Sequence, residues 1–224
     1  MTATTYTINR RHTCVKFDDL PAHLQRTILQ QYAYDETSFV DWWDFELDYF
    51  CDEVTRKYGL NVDGRKCYFS LYPTSASWTL QSIEDMDKVL DAMGITDDRE
   101  RAYLKYWEGD AVRFEASPSR YACRETCQHS SIEWWTMEED EVTESESLQG
   151  FTPDDQEALC ARVEQLWDQL CAQIAGELAR LMKDQYDYLT SEQYLRERME
   201  DNGDIFDIET GMVFNLADAE NESN

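Results

Sequence analysis

The chain has 224 residues, and 47 acidic against 20 basic side chains give a formal net charge of −27. This sign excludes binding to DNA, RNA or an anionic membrane surface through clustered Lys and Arg, because those modes need positive charge. The aromatic content of 13% favours a folded domain with a packed core, because disordered acidic chains are poor in aromatic residues.

No segment approaches the roughly 20 apolar residues that a membrane-spanning helix requires. The first residues, MTATTYTINRRH, lack the apolar core of a secretory signal, so we expect a cytoplasmic protein. In that compartment the seven cysteines are expected to be reduced thiols. Three of them lie among apolar residues in helical patterns, which predicts core positions: Cys51, Cys160 and Cys171.

Two helices are predicted in the first quarter of the chain. Apolar residues recur at spacings of three and four over residues 20–34, and a second helix is predicted over residues 38–58. Ser38 is its expected N-cap, with Asp41 three residues on, as in a capping box. Gly59 is its expected C-terminal stop.

In the middle of the chain, apolar and polar residues alternate, which is the pattern of β-strands rather than helices. We expect a small antiparallel meander there, interrupted by two short helices on either side of Gly94. The predicted strands are residues 67–72, 76–82, 112–116, 120–128 and 130–137, the last two forming a hairpin. The predicted short helices are residues 83–93 and 97–107.

The last third predicts a long helix and a terminal hairpin. Thr152 is the expected cap, Pro153 the first helical residue, and the apolar stripe extends to about Leu189. A short helix is predicted to start at Thr190 or Ser191 and to end at Asn202 and Gly203. A hairpin around residues 209–211 follows. The predicted fold class is α+β: a small antiparallel sheet packed with several helices, including one long helix in the C-terminal half.

Three regions are expected along the chain. Residues 1–137 are predicted to form the α+β domain, and residues 138–151 an acidic loop or linker with almost no apolar side chains. Residues 152–224 would contain the long helix, the short helix and the hairpin, packed on the first region.

The second predicted helix has a side of one charge sign, which we name the acidic ridge. The acidic ridge consists of Asp41, Asp44, Asp48 and Asp52. Spacings of three, four and four residues place these carboxylates on one side of a helix, and no Lys or Arg occurs between Arg26 and Arg56. One interpretation is a solvent-exposed face of an acidic protein, where the charge provides solubility or adaptation to high salt. The other is a surface that a basic cleft binds in place of nucleic acid.

Carboxylates flanking the ridge and in the acidic loop complete the predicted partner-binding residues. They are Asp35, Glu36, Glu138, Glu139, Asp140, Glu141, Glu144 and Glu146. Cys123, Cys127 and His129 have some resemblance to a metal site but lack a second ligand pair at zinc spacing. No nucleophile elbow, phosphate loop or paired-His helix occurs, so we predict no enzyme activity, no catalytic residue, no metal and no cofactor.

Several stretches resemble a family of bacteriophage-encoded proteins labelled as antitoxins of a toxin–antitoxin system. The family pattern LPxxLQxxILxxY matches Leu20 to Tyr32, a Trp-rich acidic helix follows, and a YFS strand matches Tyr68 to Ser70. A Tyr-x-Tyr-Leu-Thr-Ser junction matches Tyr186 to Ser191. The match covers about half of the chain and lacks the glycines that usually follow the YFS strand. This resemblance implies a phage origin and expression inside an infected bacterium.

Charge, size and the resemblance together predict a phage-encoded acidic inhibitor. It would bind a basic, nucleic-acid-handling host protein by nucleic-acid mimicry, as anti-CRISPR or anti-restriction proteins do, without touching nucleic acid or membrane. The charge and size are similar to those of phage DNA-mimic proteins, although no motif is shared. The alternatives are an antitoxin that neutralises a basic toxin, a metal-dependent hydrolase and a virion structural protein.

Overall fold

The computed structural model describes residues 12–38, 42–107, 112–119, 127–134 and 153–215. Within these ranges the chain is an α+β protein with six α-helices and antiparallel sheets of two or three strands, which confirms the predicted fold class. None of the helices in these ranges is long and apolar enough to cross a bilayer.

The secondary structure elements are numbered in chain order. The α-helices are α1 (Ala22–Ser38), α2 (Asp44–Tyr58), α3 (Met86–Ala92), α4 (Asp98–Trp107), α5 (Pro153–Leu189) and α6 (Glu192–Asn202). The strands are β1 (Cys14–Val15), β2 (Leu60–Val62), β3 (Tyr68–Leu71), β4 (Thr74–Ser77), β5 (Leu80–Ile83), β6 (Val112–Pro118), β7 (Gln128–Trp134), β8 (Asp204–Asp207) and β9 (Val213–Asn215). Two 3₁₀ turns occupy Phe17–Asp19 and Gly64–Lys66.

The chain divides into two compact units that do not follow the three predicted regions. Residues 43–185 form the larger unit, and residues 1–42 join residues 186–224 in what we call the terminal unit. The reason is strand pairing between the chain ends: Cys14 of β1 pairs with Asp207 of β8, and β9 extends the same sheet. Residues 12–38 therefore belong to one compact unit with residues 186–215.

The helix predictions are largely confirmed, but the expected boundary at Ser38 is wrong. Ser38 is the last residue of α1, where its hydroxyl donates to the carbonyl oxygen of Asp35 at 3.2 Å. That bond is directed back into α1, so Ser38 does not cap the next helix. α2 begins at Asp44, after Trp43, whose side chain makes no capping hydrogen bond.

The predicted single meander is also wrong, because strand pairing in the larger unit is not sequential. β3 pairs with β4 and β6 with β7, but β2 pairs with β5 across the intervening hairpin. The predicted strand 76–82 is divided at Trp78, whose backbone N–H donates to the side chain of Gln128 at 2.9 Å instead of joining a ladder. Likewise, residues 128–134 pair with β6, while residues 120–126 and 135–137 of the expected hairpin lie outside the described residues.

Helix α5 supplies much of the core of the larger unit. Trp167 is fully buried, its ring meets Phe114 edge-on at 5.1 Å, and its indole N–H donates to the carbonyl oxygen of Glu115 at 3.0 Å. Trp78 is also fully buried, and its indole N–H donates to the carbonyl oxygen of Cys171 at 3.2 Å. Burial of large aromatic rings with satisfied donors fixes α5 against β6 and the Trp78 segment.

The terminal unit has a separate core. Phe17 and Phe206 pack with ring centroids 5.9 Å apart, beside the buried side chains of Ile28, Leu195 and Met199. The predicted boundaries of α6 are confirmed: the Ser191 hydroxyl accepts from the N–H of Tyr194, and Gly203 ends the helix with φ 69°.

Candidate functional site

The candidate site is built on α2, a helix held firmly at its buried side. Phe50, Val54 and Tyr58 are buried in the core of the larger unit. Gly59 ends the helix in the left-handed conformation, with φ 69°. A helix anchored at these points holds the Cα atoms of its outer side in fixed relative positions.

Three carboxylates of the acidic ridge lie on the outer side of α2. Asp44, Asp48 and Asp52 are exposed and follow one another along about 12 Å of helix axis. Among the residues that the structure describes, no Lys or Arg forms an ion pair with any of them. Arg56, one turn after Asp52, pairs instead with Glu53 at 2.5 Å. Asp41, the fourth ridge residue, lies outside the described residues.

Two aromatic side chains beside the ridge were missed by the sequence reasoning. Phe45 is 79% exposed and Tyr49 is 52% exposed, although side chains of this type are usually covered. On a helical projection both lie within about 60° of Asp52. The two rings are four residues apart and lie on a different side of the helix from the apolar residues that face the core. That pattern in the sequence would have indicated an aromatic pair outside the core. We call Asp44, Phe45, Asp48, Tyr49 and Asp52 the acidic–aromatic face.

An open groove of about 770 Å³ adjoins this face and shares two of its carboxylates. The residues from α2 and its N-cap are Trp43, Asp44, Leu47, Asp48 and Cys51, and those from the opposite wall are Val62, Asp63, Gly64, Arg65, Cys67 and Gln81. Asp63 accepts from the backbone N–H of Arg65 at 3.2 Å and pairs with Lys66 at 3.1 Å. The groove therefore contains two ridge carboxylates, a third that is already paired, and one guanidinium.

Asp35 and Glu36 belong to the terminal unit. Asp35 is exposed and accepts from the side-chain amide of Gln31 at 2.8 Å. Glu36 pairs with Arg198 at 3.2 Å and accepts from the hydroxyl of Tyr194 at 3.3 Å, so it already has a structural role. The six predicted loop carboxylates, Glu138, Glu139, Asp140, Glu141, Glu144 and Glu146, lie outside the described residues.

The predicted cysteine positions are only partly confirmed. Cys171 is fully buried, whereas Cys51 and Cys160 are partly exposed. Of the weak metal motif, Cys127 is partly exposed and His129 is exposed on β7, while Cys123 lies outside the described ranges. Within those ranges no three His, Cys, Asp or Glu side chains are arranged to hold a metal ion.

The acidic–aromatic face has the chemistry to bind cationic side chains. Carboxylates accept bidentate hydrogen bonds from Arg, and aromatic rings attract the same guanidinium groups through their faces. No protein-family model, curated protein or solved structure matches this chain.

Proposed function

We propose that this protein is a phage-encoded inhibitor that binds a basic, nucleic-acid-handling host protein through the acidic–aromatic face and blocks it. The observation that carries the proposal is the exposure of Asp44, Asp48 and Asp52 along one rigid helix, with no ion pair to Lys or Arg among the described residues. Such an array presents negative charge in a fixed geometry to an incoming positive surface.

Mimicry follows from the way in which nucleic-acid-binding clefts work. These clefts hold Lys and Arg in positions that neutralise successive phosphates. Carboxylates spaced by about one helical turn, roughly 6 Å, can pair with the same cations, although their spacing is wider than that of the phosphates. The net charge of −27 adds a long-range field that speeds the encounter with a positive partner.

The exposed rings add a component that charge alone does not provide. Phe45 precedes Asp48, and Tyr49 precedes Asp52, by three residues, or about one helical turn. An Arg of the partner that pairs with either carboxylate can therefore also make a cation–π contact with the ring one turn before it. Arg-rich clefts are therefore preferred over Lys-rich ones, because the planar guanidinium stacks and the compact ammonium does not.

The class of partner follows from the phage resemblance and the charge. Defence nucleases of the infected bacterium have basic clefts, and a phage benefits from blocking them. CRISPR effectors and restriction enzymes are the first candidates. An antitoxin would use the same physics, since many toxins are basic RNases. In both cases the protein acts stoichiometrically in the host cytoplasm.

The test is capture of partners from a bacterial lysate by the immobilised full-length protein, with identification by mass spectrometry. We expect basic nucleic-acid-binding proteins to be captured at low salt, to be released as salt rises through the physiological range, and to be displaced by double-stranded DNA. Release follows because exposed charges are screened over about 8 Å at 0.15 M ionic strength. A basic RNase as the main captured protein would instead identify an antitoxin.

Two triple variants decide whether the ridge is the contact. Asp44→Asn, Asp48→Asn and Asp52→Asn together should abolish capture and leave the circular dichroism spectrum unchanged. The matched control neutralises three carboxylates on α5, Asp154→Asn, Glu157→Gln and Asp184→Asn, which are exposed and belong to the same unit. This control has the same net charge and should keep its partners. Equal loss in both variants would show that only net charge matters, and undiminished capture by the ridge variant would place the contact elsewhere.

A further inference from the structure

Two thiols lie beside one turn in the groove next to α2. A Cβ added to Gly64 would lie 3.3 Å from the sulfur of Cys51, and the sulfur of Cys67 is 3.7 Å from the carbonyl oxygen of Asp63. The two sulfurs therefore pack against neighbouring residues of the same 3₁₀ turn, although fifteen residues separate the cysteines in sequence. Both cysteines are free, partly exposed and part of the groove wall.

The two thiols also differ in acidity, because each perturbs the other. The neighbouring thiol of Cys67 lowers the pKa of Cys51, against burial and the opposing charges of Asp48, Asp52 and Asp63. The thiol of Cys51, together with burial, raises the pKa of Cys67. The thiolate is the reactive form of cysteine, so Cys51 is the more nucleophilic member of the pair.

We propose that Cys51 and Cys67 form a dithiol–disulfide site that reacts with small disulfides entering the groove. The thiolate of Cys51 attacks one sulfur of the small disulfide, forms a mixed disulfide and releases one thiolate. Cys67 then loses its proton and attacks the sulfur of Cys51, which forms the Cys51–Cys67 bond and releases the second thiolate. The two released thiolates take up the two protons, so the reagent gains two electrons and the protein loses two.

The charges of the groove select among small disulfides. Asp44, Asp48 and Asp63 line it against the single guanidinium of Arg65, and Lys66 lies beside Asp63. A local excess of negative charge raises the concentration of cations and lowers that of anions. The site therefore reacts faster with positively charged disulfides, such as one that carries two amino groups, than with disulfides that carry carboxylates.

The experiment treats the reduced full-length protein with cystamine and analyses its peptides by mass spectrometry. We expect the protein to lose two hydrogen atoms and to give a linked peptide that contains Cys51 and Cys67. The Cys67→Ser variant should stop at a stable cysteamine adduct on Cys51, and the Cys51→Ser variant should form neither product at a comparable rate. The matched control is Cys160→Ser, since the pKa of Cys160 is perturbed by burial and carboxylates but by no other cysteine.

The rates test the charge selection separately. At low ionic strength we expect cystamine to react about ten-fold or more faster than the anionic dithiodiglycolate, with neutral hydroxyethyl disulfide between them, and the ratio to shrink as salt rises. Adducts on both cysteines of the wild-type protein without a linked peptide would overturn the proposal. So would a linked peptide that pairs either cysteine with a different one. Equal rates for all three reagents would overturn the charge selection.

Discussion

At the scale of single residues, Asp207 shows how one carboxylate organises the terminal hairpin. Its Oδ1 accepts from the hydroxyl and the backbone N–H of Thr210, both at 2.7 Å, and its Oδ2 contacts Nδ1 of His12 at 2.9 Å. The hydroxyl of Thr210 is the main cause, and His12 the next, of a pKa for Asp207 well below its usual range. Hydrogen bonds to the ionised form account for this direction.

The depressed pKa predicts how the stability contributed by Asp207 changes with pH. A carboxyl with a lower pKa in the folded state stabilises the fold above its unfolded pKa, near pH 4, and loses that contribution as pH falls further. We expect Asp207→Asn to lower the free energy of unfolding at pH 7, and the difference from wild type to shrink between about pH 4 and pH 2. Urea unfolding at several pH values measures this difference.

Thr210→Ala is the graded comparison for that experiment. It keeps the carboxylate but removes the hydroxyl donor, so its difference from wild type should have the same sign and a smaller size. A difference for Asp207→Asn that stays constant from pH 7 to pH 3 would mean that shape, rather than ionisation, gives Asp207 its role.

The candidate site was partly predictable at this scale. A helical projection of the sequence found the outward carboxylates, because the charge pattern on a helix is local information. The same projection contained Phe45 and Tyr49, but exposure of an aromatic ring depends on what the rest of the chain leaves uncovered. The position of Cys51 and Cys67 beside the same turn was not predictable, because it requires the turn at Asp63 and Gly64 to fold back onto α2.

At the scale of elements, two glycines end helices in the left-handed conformation with very different surroundings. Gly59 ends α2 with φ 69°, and a Cβ there would lie 2.4 Å from the carbonyl oxygen of Asp85. Gly94, just after α3, has φ 70°, and a Cβ there would meet nothing within 4 Å. Substitutions at these two glycines therefore distinguish the cost of a side chain at positive φ from the cost of steric overlap with neighbouring atoms.

We expect Gly94→Ala to cost about 1 kcal/mol and Gly59→Ala at least about 3 kcal/mol of unfolding free energy. The first variant has only the penalty for a side chain at positive φ, whereas the second must also displace the backbone at Asp85. Chemical denaturation of both variants under one set of conditions measures the two costs. Similar losses in the two would show that the segment at Asp85 moves aside easily.

Element boundaries were predictable where a cap acts locally and not where pairing is distant. Ser191 and Gly203 enclose α6 with side-chain and backbone bonds inside a few residues, so their residue types were sufficient. β2 has three residues, and its partner β5 begins eighteen residues later, after a complete hairpin. A strand of three residues is too short to show a recognisable alternation of apolar and polar residues. The pairing of Leu60 with Ile83 depends instead on how both side chains pack in the core.

At the scale of the whole molecule, like-charge repulsion opposes the compact state. The excess of 27 negative charges is spread over a folded chain, and self-repulsion of this kind weakens with ionic strength. Salt also weakens exposed ion pairs such as Lys57 with Glu177, at 2.8 Å, but pairs of this type contribute little each. Screening of the repulsion should therefore dominate.

We expect the melting temperature to rise by several degrees as NaCl increases from about 20 mM to 500 mM. Thermal unfolding followed by circular dichroism measures the change, with the uncharged osmolyte glycerol as the control for general effects on the solvent. The variant neutralised at Asp44, Asp48 and Asp52 should respond less steeply, because part of the repulsion is already removed. A melting temperature that falls with salt would show that the ion pairs outweigh the repulsion.

The pairing of β1 with β8 sets an order of events during synthesis on the ribosome. Asp207, the strand partner of Cys14, is translated almost two hundred residues after it. Residues 43–185 contain their own core and can fold while the chain is still attached. Strand β1 has no partner until residues 204–207 have been synthesised. A premature stop before residue 204 would release a chain whose strand β1 has no partner.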